Sequence, residues 1–258
     1  MSNLLVVILL TKPQRNLDWG KPTGPWKDIL TVIRTLTSFD VTHEGTTSAA
    51  PGSPIPVFRS LTSTSQPVGS SLSGDPDGHN EELLGIFFQV ALPEAVGVEK
   101  LLSGLSQLPA DVSGDPGTIA SIDCRVYRPY NQLKPEVYVP TGEGTLVLNC
   151  MTPSAESEET FNRWYAEEHI PMLRAVPGWR SSTRYILVNS KCSVSYSAAK
   201  PVGVPKYFAL HEWVGDKVFQ TTEYKAAVDT PWRTEVMAGV QEKQRFVLQY
   251  IGKLREEV

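Results

Sequence analysis

The chain has 258 residues, enough for one large domain or two small ones to bury a core without disulfide or metal support. Its 24 Lys and Arg against 28 Asp and Glu give a formal net charge of −4, and no basic run stands out, so no positive surface is offered to a nucleic-acid backbone. The three cysteines, Cys124, Cys150 and Cys192, are odd in number and lack metal-ligand spacing, and two lie in apolar runs where a thiol acts as a small hydrophobe; a reducing, cytoplasmic setting is expected.

Leu4 to Leu10 reads as a strand that Thr11-Lys12-Pro13 ends. It has the apolarity of a signal segment, but no basic residues precede it and no small-residue cleavage site follows, and no other apolar run nears the roughly 20 residues of a membrane span. Ile29, Ile33 and Leu36 mark one face of a helix after Trp26. Between about Thr46 and Asn80 the composition turns to Ser, Thr, Gly and Pro, which reads as an insertion that buries little. The second strand of this half is either Val41 to Thr47 or Val57 to Leu61. His43 and His79 have no ligand partner at recognisable spacing, and Asp75-Pro76-Asp77-Gly78 lacks the later acids of a calcium loop and reads as a turn. Leu84 to Leu92 is a strand, Val98 to Leu105 a short helix, and Ile119 to Tyr127 the closing strand.

The second half carries clearer signals. Thr145 to Met151 is a strand stopped by Pro153, and Ser154 or Ser157 can cap a helix whose first turn holds Glu156, Glu158 and Glu159, where the helix dipole favours acids. Phe161, Trp164, Tyr165 and Glu168 follow at helical spacing, Pro171 interrupts, and Pro177-Gly178 closes the segment. Trp179 to Val188 and Tyr207 to Val214 are strands. Asp216 to about Val228 is a helix, Thr230-Pro231 restarts one, and Phe246 to Ile251 is the last strand. Both halves thus read β-α-β-β-α-β, which makes the chain α+β: two fused ferredoxin-like modules, residues 1–140 and 144–254, forming a barrel within one chain.

Phe161 to Leu173, with Val176-Pro177-Gly178-Trp179, Pro205 to Trp213, Glu223 to Ala227 and Thr230 to Thr234, resembles the dimeric α+β barrel superfamily, specifically EthD-like proteins of fungal type. The core of the likeness is Trp164-Tyr165-x-x-Glu168-His169-x-Pro171; it spans roughly Gly144 to Leu254, and the first half lacks the motif. The resemblance implies two four-stranded sheets enclosing a cavity. Related barrels include polyketide cyclases, muconolactone isomerases, quinone-forming monooxygenases and haem-binding peroxidases, many of them working without a cofactor.

His169 is expected to turn toward the cavity because a nearby proline disfavours helical geometry, and imidazole exchanges protons near neutrality. Strand alternation places Tyr207, His211 and Trp213 on one face and Phe208 and Leu210 on the other; the first set is expected to line the barrel interior, making His169 and His211 an acid/base pair. Tyr165, Tyr185, Tyr207 and Trp213 are candidate substrate contacts, and Arg233 offers a fork of donors to a carboxylate or enolate. No dinucleotide fingerprint, phosphate loop or Gly-x-Ser-x-Gly elbow is present. The expectation is a lyase or cyclase of secondary metabolism acting without cofactor or metal on a small hydrophobic, polyketide-like or aromatic substrate. A cofactor-free phenol monooxygenase and a non-catalytic ligand-binding or stress-type barrel are the alternatives, and a homodimer beyond the intrachain pair is left open.

Overall fold

The computed structural model of the chain describes residues 2–12, 55–60, 82–92, 97–106, 121–130, 140, 142–194 and 203–254. The expected helix around Ile33, the alternative strand Val41 to Thr47, His43, His79 and the Asp75 turn lie outside these residues. The strands are β1 (Ser2–Lys12), β2 (Ile55–Ser60), β3 (Glu82–Leu92), β4 (Ser121–Pro129), β5 (Thr145–Pro153), β6 (Trp179–Val194), β7 (Tyr207–Trp213) and β8 (Val240–Leu254). The helices are α1 (Gly97–Ser106), α2 (Glu158–Trp164), α3 (Ile170–Arg174), α4 (Thr222–Ala227) and α5 (Pro231–Ala238).

The eight strands close into one antiparallel barrel in the order β1-β3-β2-β8-β5-β7-β6-β4. The order β4-β1-β3-β2 in the first half repeats as β8-β5-β7-β6 in the second, and the halves join edge to edge through β2 with β8 and β4 with β6. The second strand is therefore Ile55–Ser60, which cuts through the segment read as an insertion. Its Val57 and Phe58 are buried, and that pair is enough to hold a short strand between β3 and β8.

Leu4 to Leu10 is apolar throughout because both of its faces are covered. Leu5, Val7 and Leu9 enter the barrel, while Val6, Ile8 and Leu10 pack outside with Leu101 and Leu102 of α1. The barrel interior is a packed core in which both halves interdigitate. Phe208 sits between Tyr127 and Tyr185, with ring centroids 4.8 and 5.6 Å away, and Leu148 and Leu248 fill in beside them. The expected faces of β7 are thus reversed. Phe208 and Leu210 point inward, and Tyr207, His211 and Trp213 lie on the outer face beneath the helices. Large apolar side chains fill most of the interior, with the buried Arg125 and Glu212 on the same inward face, and the His211 imidazole lies on the other side of the sheet.

Pro171 does not stop the helix. The chain passes from α2 through a π-helical turn, Tyr165–His169, into α3, with Ile170 still helical at φ −65° and ψ −44°. The Ile170 N–H bonds the Tyr165 carbonyl five residues back. Widening the turn accommodates the proline ring and its missing donor without breaking the rod. The segment expected as one helix from Asp216 is instead a 3-10 turn, Asp216–Gln220, followed by α4, which Thr221 caps by accepting from the Tyr224 N–H at 3.2 Å.

Candidate functional site

A cavity of about 120 Å³ lies between the outer face of the second-half sheet and its helices. Its floor is Val147, Asn149 and Met151 on β5, with His211 opposite Val147 on β7 and with Arg245 opposite Asn149 and Lys243 opposite Met151 on β8. Trp164, His169 and Leu173 roof one side; Tyr224, Val228 and Arg233 roof the other, and Trp213 closes the end.

Strand parity puts His211 here, and two further side chains fix its ring. Ser182 Oγ lies 2.8 Å from His211 Nδ1 and accepts from Trp179 Nε1 at 2.9 Å. Since the serine has a single proton and already accepts from Trp179, donating that proton to Nδ1 satisfies all three groups and leaves Nε2–H as a donor. Nε2 is buried and has no partner among the described residues.

His169 stacks on Trp164 with centroids 4.3 Å apart and stands edge-on to His211 at 5.8 Å. The two histidines expected as a pair are therefore brought together, on the helix side of the sheet. Burial, then the Arg233 charge, lowers the His169 pKa to about 3, with the Ala227 backbone acting in the opposite direction. Burial, His169, Arg245 and Arg184 hold His211 well below its ordinary range. Both rings are neutral at pH 7, so each carries one donor and one lone pair.

Arg233 and Trp213 line this cavity, Trp213 from the outer face of the sheet and not from the barrel interior expected of it; the three tyrosines do not line it. Tyr185 is inside the barrel. Tyr165 and Tyr207 form, with Tyr130 and Phe161, a ring cage around the Arg184 guanidinium at 4.2 to 5.4 Å, and Arg184 Nη2 donates to Asn162 Oδ1 at 2.7 Å. The Tyr207 hydroxyl donates to Glu158 and accepts from Asn162 Nδ2. Burial pushes Tyr165 up to about 12. These phenols are thereby committed to structure.

Lys243, Arg245, Ser182 and the stacking Trp164 are contributors that the sequence reading missed. Arg233, Lys243 and Arg245 supply three positive charges, and no Asp or Glu lines the cavity. Burial, then Arg233 and Arg245, lowers the Lys243 pKa. Glu168 stays behind the wall, where its Oε1 accepts from Trp164 Nε1 at 3.1 Å and from Thr230 Oγ1 at 2.6 Å. Thr230 in turn caps α5 through the Arg233 N–H, so Glu168 ties the histidine-bearing segment to the helix that presents Arg233. Four buried polar atoms at this site, His169 Nδ1, His211 Nε2, Trp213 Nε1 and Arg245 Nη1, make no hydrogen bond among the described residues. Each such orphan costs about 1–3 kcal/mol unless something else bonds it.

Among the described residues no group of three or more His, Cys, Asp or Glu is arranged to hold a metal, and no helix is long and apolar enough to cross a membrane. No family model matches the chain, and no curated protein matches its sequence. Solved structures of ferredoxin-fold barrel proteins align over nearly all of it. An anthrone oxidase-like protein shares 14% identity at a TM-score of 0.49, covering 100% of this chain and 96% of that one. A haem-degrading enzyme from Listeria monocytogenes shares 11% at 0.40, covering 95% and 99%. An uncharacterised ferredoxin-fold protein related to antibiotic biosynthesis monooxygenases, also from Listeria monocytogenes, shares 11% at 0.40, covering 97% and 96%. At these values none of the likenesses bears on substrate or reaction.

Proposed function

We propose that the chain is a cofactor-independent lyase or cyclase of secondary metabolism that works by proton transfer on a hydrophobic, ring-bearing carbon acid. The observation that carries this reading is the convergence, in one aromatic-walled cavity, of two neutral imidazoles with unpartnered donors from Trp213 and Arg245. An engineered cavity of about 150 Å³ takes a benzene. At about 120 Å³, with the exposed Lys243 at its edge, this one has room for at most a single ring, and a larger polyketide would enter it with one ring only.

In the scheme this supports, the free lone pair of His169 takes a proton from the acidic carbon, and the C–H electron pair moves into the enolate. In this reading Trp213 Nε1–H, Arg245 Nη1–H and His211 Nε2–H, buried donors without a partner among the described residues, bond the enolate oxygen, and one such donor is worth about 2.7–4 kcal/mol. An imidazolium is disfavoured in the empty site but stabilised beside the new negative charge, so the groups favour the transition state over the resting state. Return of the proton to another atom completes enolisation, and its delivery to a hydroxide that the enolate expels from the next carbon gives dehydration. In a decarboxylation the enolate would instead form directly, as the C–C electron pair left by carbon dioxide moves into the carbonyl, and the same donors would hold its oxygen.

The two halves are read as fused ferredoxin-like modules, 1–140 and 144–254, which the repeated strand order supports. The second module is read as EthD-like on the Trp164 to Pro171 motif. The test is tautomerisation of phenylpyruvate followed by ultraviolet absorbance. The wild type is expected to accelerate it, and His169→Gln and His211→Gln each to lose about 10²- to 10⁴-fold. A wild type that binds aryl acids without accelerating any enolisation favours a non-catalytic ligand-binding barrel, and oxygen uptake with a phenol favours a monooxygenase.

A further inference from the structure

We infer that the ligand of this cavity is an anion, a ring-bearing carboxylic acid whose carboxylate is held by Arg233, Lys243 and Arg245. The inference rests on the reading of the cavity as a substrate site and adds the class of substrate. Three cations on two elements, β8 and α5, face one space of about 120 Å³ with no acid among its lining residues. None of the three makes an ion pair with a described Asp or Glu; Arg245 reaches only the Tyr224 hydroxyl, at 3.5 Å, and its Nη1 is buried without a partner. Positive groups are rarely gathered in a half-buried site without a counter-charge, because each raises the cost of the next.

Two acids beside the site, Glu168 next to His169 and Glu242 next to Lys243, are occupied elsewhere. Glu168 accepts from Trp164 and Thr230, and Glu242 accepts from Thr152 at 2.8 Å on the exposed side of β8. The missing counter-charge is thus left to the ligand. Guanidinium forks suit a planar carboxylate, and the Trp164 and Trp213 rings, which also line the cavity, suit the apolar remainder. Lys243 is exposed at the edge, so the carboxylate can exchange its hydration for protein donors on entering.

The experiment is isothermal titration of the full chain with phenylacetate and with phenylacetamide, which have the same shape and differ in charge. Phenylacetate is expected to bind at least tenfold more tightly, to weaken as salt is raised from about 50 to 500 mM, and to lose most of that advantage in Arg233→Gln and in Arg245→Gln. Circular dichroism and the thermal midpoint of both variants serve as the check that they are folded, and phenylacetamide, which carries no charge, should lose much less affinity in them than phenylacetate does. Equal affinity for acid and amide in the wild type overturns the inference while leaving the cavity reading standing. Binding of neither overturns both. Tight carboxylate binding without tautomerase activity supports the inference and removes the proposed reaction instead.

Discussion

Replacing Ser182 by alanine removes the oxygen that joins Trp179 Nε1 to His211 Nδ1. His211 is 1% exposed, so its Nδ1 would lose its partner inside the protein at a cost of about 1–3 kcal/mol; Trp179 is only half-buried and can recruit water at little cost. For a chain of this size 1 kcal/mol shifts the midpoint by roughly 2–4 °C, so a central loss of about 2 kcal/mol predicts a fall in Tm of about 4–8 °C by circular dichroism. The same argument fixes the tautomer. Nitrogen-15 spectra of the wild type should show His211 protonated at Nε2 and bare at Nδ1, and Ser182→Ala should redistribute the proton, whereas Ser182→Thr, which keeps the hydroxyl, should restore both stability and tautomer. A wild-type His211 protonated at Nδ1, or a Tm within about 1 °C of wild type in the alanine variant, refutes the relay.

Phe208→Ala should cost about 3–5 kcal/mol in urea unfolding, because its ring is the centre of the barrel interior between Tyr127 and Tyr185; a cost below about 1 kcal/mol contradicts a packed lumen. Gly144→Ala should be strongly destabilising, since Gly144 has φ +75° and an added Cβ would come far too close to the Trp213 carbonyl oxygen; a normal midpoint would show that this turn can move. The histidines also set an acid dependence. With His169 at about 3 and His211 far below its ordinary value, the unfolded chain binds more protons than the native one below about pH 6.5, so stability falls with falling pH by up to about 1.4 kcal/mol per pH unit for each ring. Urea midpoints at pH 7, 6 and 5 should therefore converge in the His169→Gln, His211→Gln double variant, and parallel lines for the two proteins would assign the acid loss to the carboxylates.

Period-two runs and Pro or Gly stops locate seven of the eight strands without the structure, because each strand is buried on at least one face. The second strand was ambiguous for a physical reason. Val57 and Phe58 are the buried residues described in it, and Ser and Pro on either side mask so short a signal. Parity correctly separated Tyr207, His211 and Trp213 from Phe208 and Leu210, yet could not say which set faces inward, since all seven residues of β7 are buried. Both faces are apolar enough. What decides is that closing eight strands leaves an interior to be filled by side chains, which moves the space for a ligand to the helix-covered side. Lys243 and Arg245 were missed because the last strand was started at Phe246. Extending the alternation back to Val240 places Lys243, Arg245 and Val247 on one face, and a half-buried arginine on that face with a lysine at its exposed edge is itself a sign of a site.

The motif histidine shows how a correct expectation can rest on the wrong cause. Pro171 was expected to free His169 from helical geometry, but His169 keeps φ −64° and ψ −54°. The proline acts through the hydrogen-bond pattern instead. Its ring would collide with the carbonyl four residues back, and the chain widens by one residue into the turn Tyr165–His169. In an α-helix residues five apart face different directions, whereas a turn bonded from i to i+5 brings them toward one another, and His169 comes to stack on Trp164 at 4.3 Å. The imidazole is therefore held against the indole by the backbone, with its edge toward His211 and the cavity beneath it. The spacing Trp164 to His169 and the proline two residues later belong to one device, since without the proline the segment could run on as regular α-helix and carry the imidazole away from the indole.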